Sequence, residues 1–306
     1  MHELARSGWR LHLALRGVNF AGAHLGTGGR HALLKKATDQ PQQPAPGEFL
    51  VPSGAVARGE GRRRARPRLW HHDYLHLRPL AADLRHVLGD ARGDPRDVAE
   101  PWLILDLGCG ASPYREFFPA VLDAYVRVDL DGGASPGVVA RGESLPFAAA
   151  TFDGILATQV LLLAEEPAAM VAEIRRVIRP GGRVWVTCHG AWPRSGVAPE
   201  NRFGEPDLER LFAAFDRVSV TPEGGYLGLP FALFNLALRE GVRAAQRRFG
   251  RAALLLRLVA VPCFVAANLT GRVLERLAAA GPMRPLLSHL DRSLPMNYLV
   301  VAERGV

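Results

Sequence analysis

The 306-residue chain is 48% hydrophobic and 22% charged, enough apolar material for an α/β domain with appendages or for two average domains. Its formal net charge of +8 sits in residues 1–70, which hold 12 Lys and Arg against 4 Asp and Glu, so the balanced remainder carries no charge footprint for nucleic acid. Three scattered cysteines, Cys109, Cys188 and Cys263, exclude a disulfide framework or a zinc site and suit reduced thiols in a cytoplasmic protein.

At the N-terminus, Leu4, Leu11 and Leu15 place a short amphipathic helix over 3–16. Arg6, Arg10 and Arg16 interrupt its apolar stretch, so no secretory signal is expected. The segment that follows contains Gln40-Pro41-Gln42-Gln43-Pro44 and the run Arg62-Arg63-Arg64-Ala65-Arg66-Pro67-Arg68. Such polar, Pro-rich sequence buries too little apolar surface to offset its ordering entropy. Residues 1–69 are therefore read as a basic, largely disordered arm, and order is expected from about Trp70.

Leu77, Leu80, Ala81, Leu84, Val87 and Leu88 share one face of a helix over 74–88. Strands are then expected at 102–107, 125–129, 137–140 and 152–157, the first a continuous apolar run that ends at glycines. A helix over 167–178 buries Met170, Val171, Ile174, Val177 and Ile178 and turns through Arg179-Pro180-Gly181-Gly182 into a strand at 183–188. A helix at 206–215, a strand at 217–221 and a last strand at 297–302 complete the pattern. This alternation predicts a doubly wound α/β sheet with its ligands at the carboxyl ends of the strands.

Asp106-Leu107-Gly108-Cys109-Gly110 closes the first strand, just before an expected helix. Two glycines there let backbone approach a ligand where a Cβ would clash. Asp129, 21 residues after Gly108, ends the second strand at the place for a carboxylate that accepts ribose hydroxyls. A dinucleotide fingerprint needs Gly or Ala three residues after Gly110 so that the helix can hold a pyrophosphate; Pro113 stands there, and NAD is disfavoured.

With those residues the chain resembles class I S-adenosylmethionine (SAM)-dependent methyltransferases, of the small-molecule type related to the quinone-biosynthesis enzymes. The resemblance covers about 102–222 and 297–302. It rests on Leu105 to Gly110, Val128-Asp129, Gly142-Glu143-Ser144-Leu145-Pro146-Phe147, Thr151-Phe152-Asp153 and Arg176-Val177-Ile178-Arg179-Pro180-Gly181-Gly182. It implies a seven-stranded Rossmann-like sheet and SAM as cofactor. Gly108 and Gly110 would pack under the methionine moiety, Asp129 would hold the ribose, and Glu143, Ser144 and Leu145 would line the adenine. Asp106, Cys109 and Gln159 complete the cofactor-binding set it implies. Two departures stand out: Arg141 replaces an acid usual near the adenine amine, and Val160-Leu161-Leu162-Leu163 replaces a Val-Leu-Glu-His.

His189, directly after the fifth strand, is the candidate general base, with a strand-end cap as its passive alternative. Trp192 and the segment 199–204 are expected to wall the acceptor site. Thr187-Cys188 superficially matches an RNA cytosine methylation motif, but its companion Pro-Cys is missing, and Cys188 reads as a core or edge thiol. No nucleic-acid partner is expected.

Between the sixth and seventh strands, residues 226–296 form an apolar, helical insertion with 10 Arg against 3 acids, which divides the methyltransferase domain into 70–225 and 297–306. Its second apolar stretch, Ala252 to Leu269, has bilayer length but contains Arg257, Pro262 and Asn268. A lid over the acceptor, a homodimer element and a peripheral contact at the inner face of the membrane remain open. The expected activity is methyl transfer to an O, N or C atom of a small, hydrophobic or lipid-linked acceptor. The alternative is a catalytically weak SAM-binding-fold protein that serves a membrane or a complex.

Overall fold

Trp102–Leu107 (β1) buries all but its first residue, the signature of a strand covered on both faces. In the computed structural model, which describes residues 61–89, 102–118, 122–130, 136–194, 200–250, 255–280, 285, 289 and 293–306, it is an interior strand of a seven-stranded sheet. The other strands are β2 (Leu122–Asp129), β3 (Val138–Val139), β4 (Phe152–Thr158), β5 (Ile178–His189), β6 (Arg217–Glu223) and β7 (Asn297–Glu303). Their order is β3-β2-β1-β4-β5-β7-β6. β1 pairs in parallel with β2 and β4, β4 with β5, and β7 runs antiparallel to both β5 and β6. The chain winds outward from β1 and then returns beside it at β4, so the carboxyl ends of these two strands open a crevice. This is the doubly wound, Rossmann-like sheet of the class I methyltransferase fold.

Helices α1 (Tyr74–Gly89), α2 (Pro167–Val177) and α3 (Glu205–Leu211) flank the sheet. One core packs Met170, Val171 and Ile174 of α2 against Leu105, Ile155 and Val184. The other packs Leu77, Leu80 and Leu84 of α1 against Ile104, Leu156 and Trp185. Asp153, near the start of β4, is buried but satisfied: it accepts the Leu103 N–H at 2.6 Å and pairs with Arg179.

Beyond shifted element ends, with α3 closing at Leu211 rather than 215 and β2 opening at Leu122 rather than 125, three expectations change. Among the described residues between the glycine motif and β2 there is no α-helix; the chain makes turns and a 3₁₀ turn, Arg115–Phe117. Tyr114, Phe117 and Phe118 all bury into the α1-side core and hold this segment flat, and Phe118 is extended as the residue before a proline must be. Second, β5 begins at Ile178, not 183, because Gly181 and Gly182 exchange backbone hydrogen bonds with Arg304 beyond β7. Third, order begins before Trp70. Residues 61–65 make a helical turn whose Ala65 enters the core, Arg63 pairs with Asp73 at 3.1 Å, and Arg66 grips Glu116 through two bonds of 2.8 and 2.9 Å. Part of the arginine run is thus a clamp across α1 and the 3₁₀ turn. The expected helix at 3–16 and residues 1–60 lie outside the described residues.

Among the described residues of the insertion, the helices α4 (Leu229–Phe249) and α5 (Leu256–Ala280) pack on one another. Leu229 and Ala232 join Tyr74, Leu75 and Met296 in a small core that fixes the pair to the sheet domain. Polar contacts add to it: Asn235 bonds Asn268 at 2.8 Å, and Asn268 donates to the Leu69 and His71 carbonyls at 2.7 and 2.9 Å.

Candidate active site

The crevice between β1 and β4 is floored by the glycine motif. Gly108 has φ +67°, and a Cβ there would meet Val160 Cγ2 at 2.5 Å, so glycine is required on both counts. Gly110 has φ +47° with no atom within 4 Å of the position a Cβ would take, which leaves its backbone bare toward the crevice. Asp129 Oδ2 accepts the Gly110 N–H at 2.8 Å, tying the end of β2 to the loop. Leu130 follows Asp129 and is 52% exposed, a flat apolar surface beside a carboxylate at the strand end.

The remaining residues of the implied cofactor set divide. Asp106 is buried below the loop, and burial pushes its carboxyl up to about 6 against the opposing Ser112 and Tyr125 hydroxyls. Its carboxyl supports the loop from beneath rather than lining the crevice. The Cys109 thiol is buried and pushed up to about 12, so this residue offers the crevice only backbone. Glu143 Oε1 accepts the Glu165 N–H at 2.9 Å, and Arg141 reaches Glu165 at 2.8 Å and Glu143 at 3.7 Å. The unusual arginine therefore closes a local ion network. Leu145 is a core residue whose N–H donates to Glu173 at 2.8 Å. Ser144 is exposed beside it.

Gln159 points the other way. Held at φ +56°, it donates from Nε2 to Asn297 Oδ1 at 3.2 Å and joins the group around His189. His189 Nδ1 lies 3.2 Å from the same Asn297 oxygen. Asn297 Nδ2 lies 3.1 Å from the His76 carbonyl and 3.4 Å from His76 Nδ1. The Asn297 amide thus sets both tautomers: its oxygen takes the His189 Nδ1–H and its nitrogen faces an unprotonated His76 Nδ1. Trp192 stacks on His76 at 3.9 Å between ring centres, and the two histidine rings are 5.0 Å apart. Burial pushes His189 down to about 4 and His76 well below its ordinary value, so both imidazoles are neutral at pH 7.

Cys188 is fully buried, and its thiol is pushed up to about 12, which removes it as a nucleophile. Sequence reasoning missed His76, Asn297 and Leu130. Asn297 did carry a signal, as a polar residue opening an apolar strand, and His76 another, as a histidine between Leu75 and Leu77 on a buried stripe. Nothing in either signal indicated that the two would meet.

Residues 105–186 match the family model of a methyltransferase domain. That match takes in the glycine loop, Asp129 and most of β1 to β5, so this stretch is similar to a methyltransferase domain, whose cofactor is SAM. One curated relative, an uncharacterized protein of Methanocaldococcus jannaschii, is 43% identical over 47 residues; the match spans 15% of this chain and only 23% of the relative. Among solved structures, the cyclase SpnF aligns over 95% of this chain and 99% of its own, at 17% identity and a TM-score of 0.45. Haemonchus contortus phosphoethanolamine N-methyltransferase 2, solved with S-adenosyl-L-methionine, aligns over 86% of this chain and 62% of its own, at 12% identity and a TM-score of 0.43. Likeness at this level bears on neither activity nor substrate.

Proposed function

We propose that the protein transfers a methyl group from SAM to an oxygen, nitrogen or carbon atom of a small, largely apolar acceptor, in the manner of the small-molecule methyltransferases. The observation that carries this reading is the adjacency of two unlike surfaces at the carboxyl edge of one sheet. One is the bare glycine loop with Asp129; the other is the neutral group of His189, Asn297, Gln159, His76 and Trp192.

The residues present fit the cofactor. The open space over Gly110 accommodates the methionine portion, the half-buried Asp129 carboxylate suits ribose hydroxyls, and exposed Leu130 suits the face of a purine. We assign Glu143 and Ser144, half-buried and exposed, to the adenine side. When bound, SAM supplies a methyl already activated on a sulfonium, so the protein's task is alignment and disposal of a proton. His189 Nε2 keeps its lone pair because Nδ1–H is committed to Asn297. A buried imidazole of this kind is a weak base. It suffices to orient an acceptor and to take its proton once methylation has made that proton acidic.

Isothermal titration calorimetry with SAM tests the reading. Wild type should bind SAM, and Asp129→Ala should weaken binding roughly 10- to 100-fold, as expected for a lost charged hydrogen bond. His189→Gln should keep SAM affinity and lose acceptor-dependent release of S-adenosylhomocysteine across a panel of phenols, quinols and amines. Folded protein without SAM affinity overturns the proposal.

A further inference from the structure

The helical insertion leaves one face of α5 without a protein partner among the described residues. Leu258, Val259 and Leu277 are 71%, 65% and 65% exposed, and Leu255, Leu269 and Val273 continue the same stripe at helical spacing. From Leu258 to Leu277 the stripe runs about 30 Å along the helix. No charged residue interrupts it between Leu258 and Val273, since Arg272 turns aside to donate to the Tyr74 hydroxyl at 2.8 Å. A continuous apolar strip of this length marks an interaction surface rather than scattered apolar exposure.

The occupant follows from charge and attachment. Residues 229–280 hold eight arginines against two acids, Glu240 and Glu275. Both acids are already engaged, Glu240 by Arg239 and Arg243 and Glu275 by Arg78. The excess positive charge gathers where the two helices meet, with Arg247 and Arg248 in the last turn of α4 and Arg257 in the first turn of α5, beside exposed Phe249 and Leu255. Arginines flanking exposed aliphatic and aromatic side chains match the boundary between phosphate headgroups and acyl chains.

Among the described residues, α5 is long and apolar enough to cross a bilayer. Its opposite face forbids that, because Ala260, Phe264, Ala267 and Gly271 are buried and Asn268 is tied to the Leu69 and His71 carbonyls. A Cβ on Gly271 would meet Leu75 at 2.8 Å, which shows how closely α5 lies on the body. Only one face is on offer, so the helix must lie in the plane of the surface.

We infer that the α4–α5 pair docks the protein on an anionic lipid surface, with the outer stripe of α5 set in the plane of the headgroup boundary and the arginines at the helix junction on lipid phosphates.

Flotation of the full chain with phosphatidylcholine vesicles containing about 30% phosphatidylglycerol, against pure phosphatidylcholine, tests the inference. Wild type should float with the anionic vesicles. Leu258→Asp/Leu269→Asp should reduce the bound fraction at least about tenfold with its circular dichroism unchanged, since both side chains face outward. Arg247→Glu/Arg248→Glu should remove the preference for anionic lipid. Absence of flotation overturns the inference. So does undiminished flotation of the Asp double variant, which would assign binding to another basic segment such as residues 1–60. A dimer abolished by the Asp pair without vesicle binding would mean that a second copy covers the stripe. Resistance of bound protein to alkaline carbonate would mean a spanning helix, and either result sinks the in-plane model.

Discussion

The cofactor edge of the sheet and the α4–α5 pair solve opposite problems. At the edge, backbone must come close to a ligand, so side chains are removed or turned under: Gly108 and Gly110 sit at positive φ, Cys109 faces the core, and Asp106 is buried beneath the loop. In the helical pair the backbone is fully occupied by its own hydrogen bonds, and the side chains carry the surface. The first region should therefore tolerate few substitutions, and the outer face of the second many apolar ones. Geometry is specified where a small molecule must fit, and only polarity where a broad surface must be met.

The largest test of that contrast is Gly108→Val. A Cβ at 2.5 Å from Val160 Cγ2, at a φ of +67°, should cost about 4 kcal/mol or more of stability, read by urea denaturation; a near-neutral result would show that the loop is plastic. The next is pH. His189 titrates near 4 when folded against about 6.5 when unfolded, so the unfolded chain takes up the proton first. Its contribution is fully present above about pH 6.5 and drains as pH falls toward 4, by up to about 3 kcal/mol. His189→Gln should therefore flatten the loss of stability between pH 7 and 5, and an unchanged slope would place the imidazole in solvent. Smaller still is Asn268→Ala, which unties α5 from the Leu69 and His71 carbonyls and should cost about 2 kcal/mol. Hydrogen exchange should then quicken in α5 while β1 to β5 stay protected; uniform change would mean that pair and sheet unfold as one unit.

Where a segment is dominated by a single local term, its sequence was readable. The six residues of β1 were placed at their observed limits because a run apolar on both faces, stopped by glycine, fits little but a central parallel strand. The helix α2 and the strands β4, β6 and β7 came within a residue or two at their ends for the same reason. The segment after Gly110 was misread as a helix. Its motif context favoured one, but burial of Tyr114, Phe117 and Phe118 against α1 outweighed local propensity, and α1 lies far away in the chain. The arginine run was misjudged likewise: Asp73 and Glu116, which receive Arg63 and Arg66, are invisible to a composition argument.

The site divides along the same line. For Gly108, Gly110 and Asp129 the sequence alone placed the three residues together at the strand ends, because a glycine pair between strand and turn and an acid at the next strand end are set by local chain geometry. Gln159, grouped with those residues by resemblance, belongs instead with His189, and His76 and Asn297 were not visible at all. Their meeting depends on α1 crossing the carboxyl end of β5 and the amino end of antiparallel β7, with His76 and Asn297 221 residues apart along the chain. The glycine loop was legible because conformation at a residue is a local property. The histidine group and the outward face of α5 were not, because which side chains share a low-dielectric space, and which are left facing water, is decided only when distant segments pack.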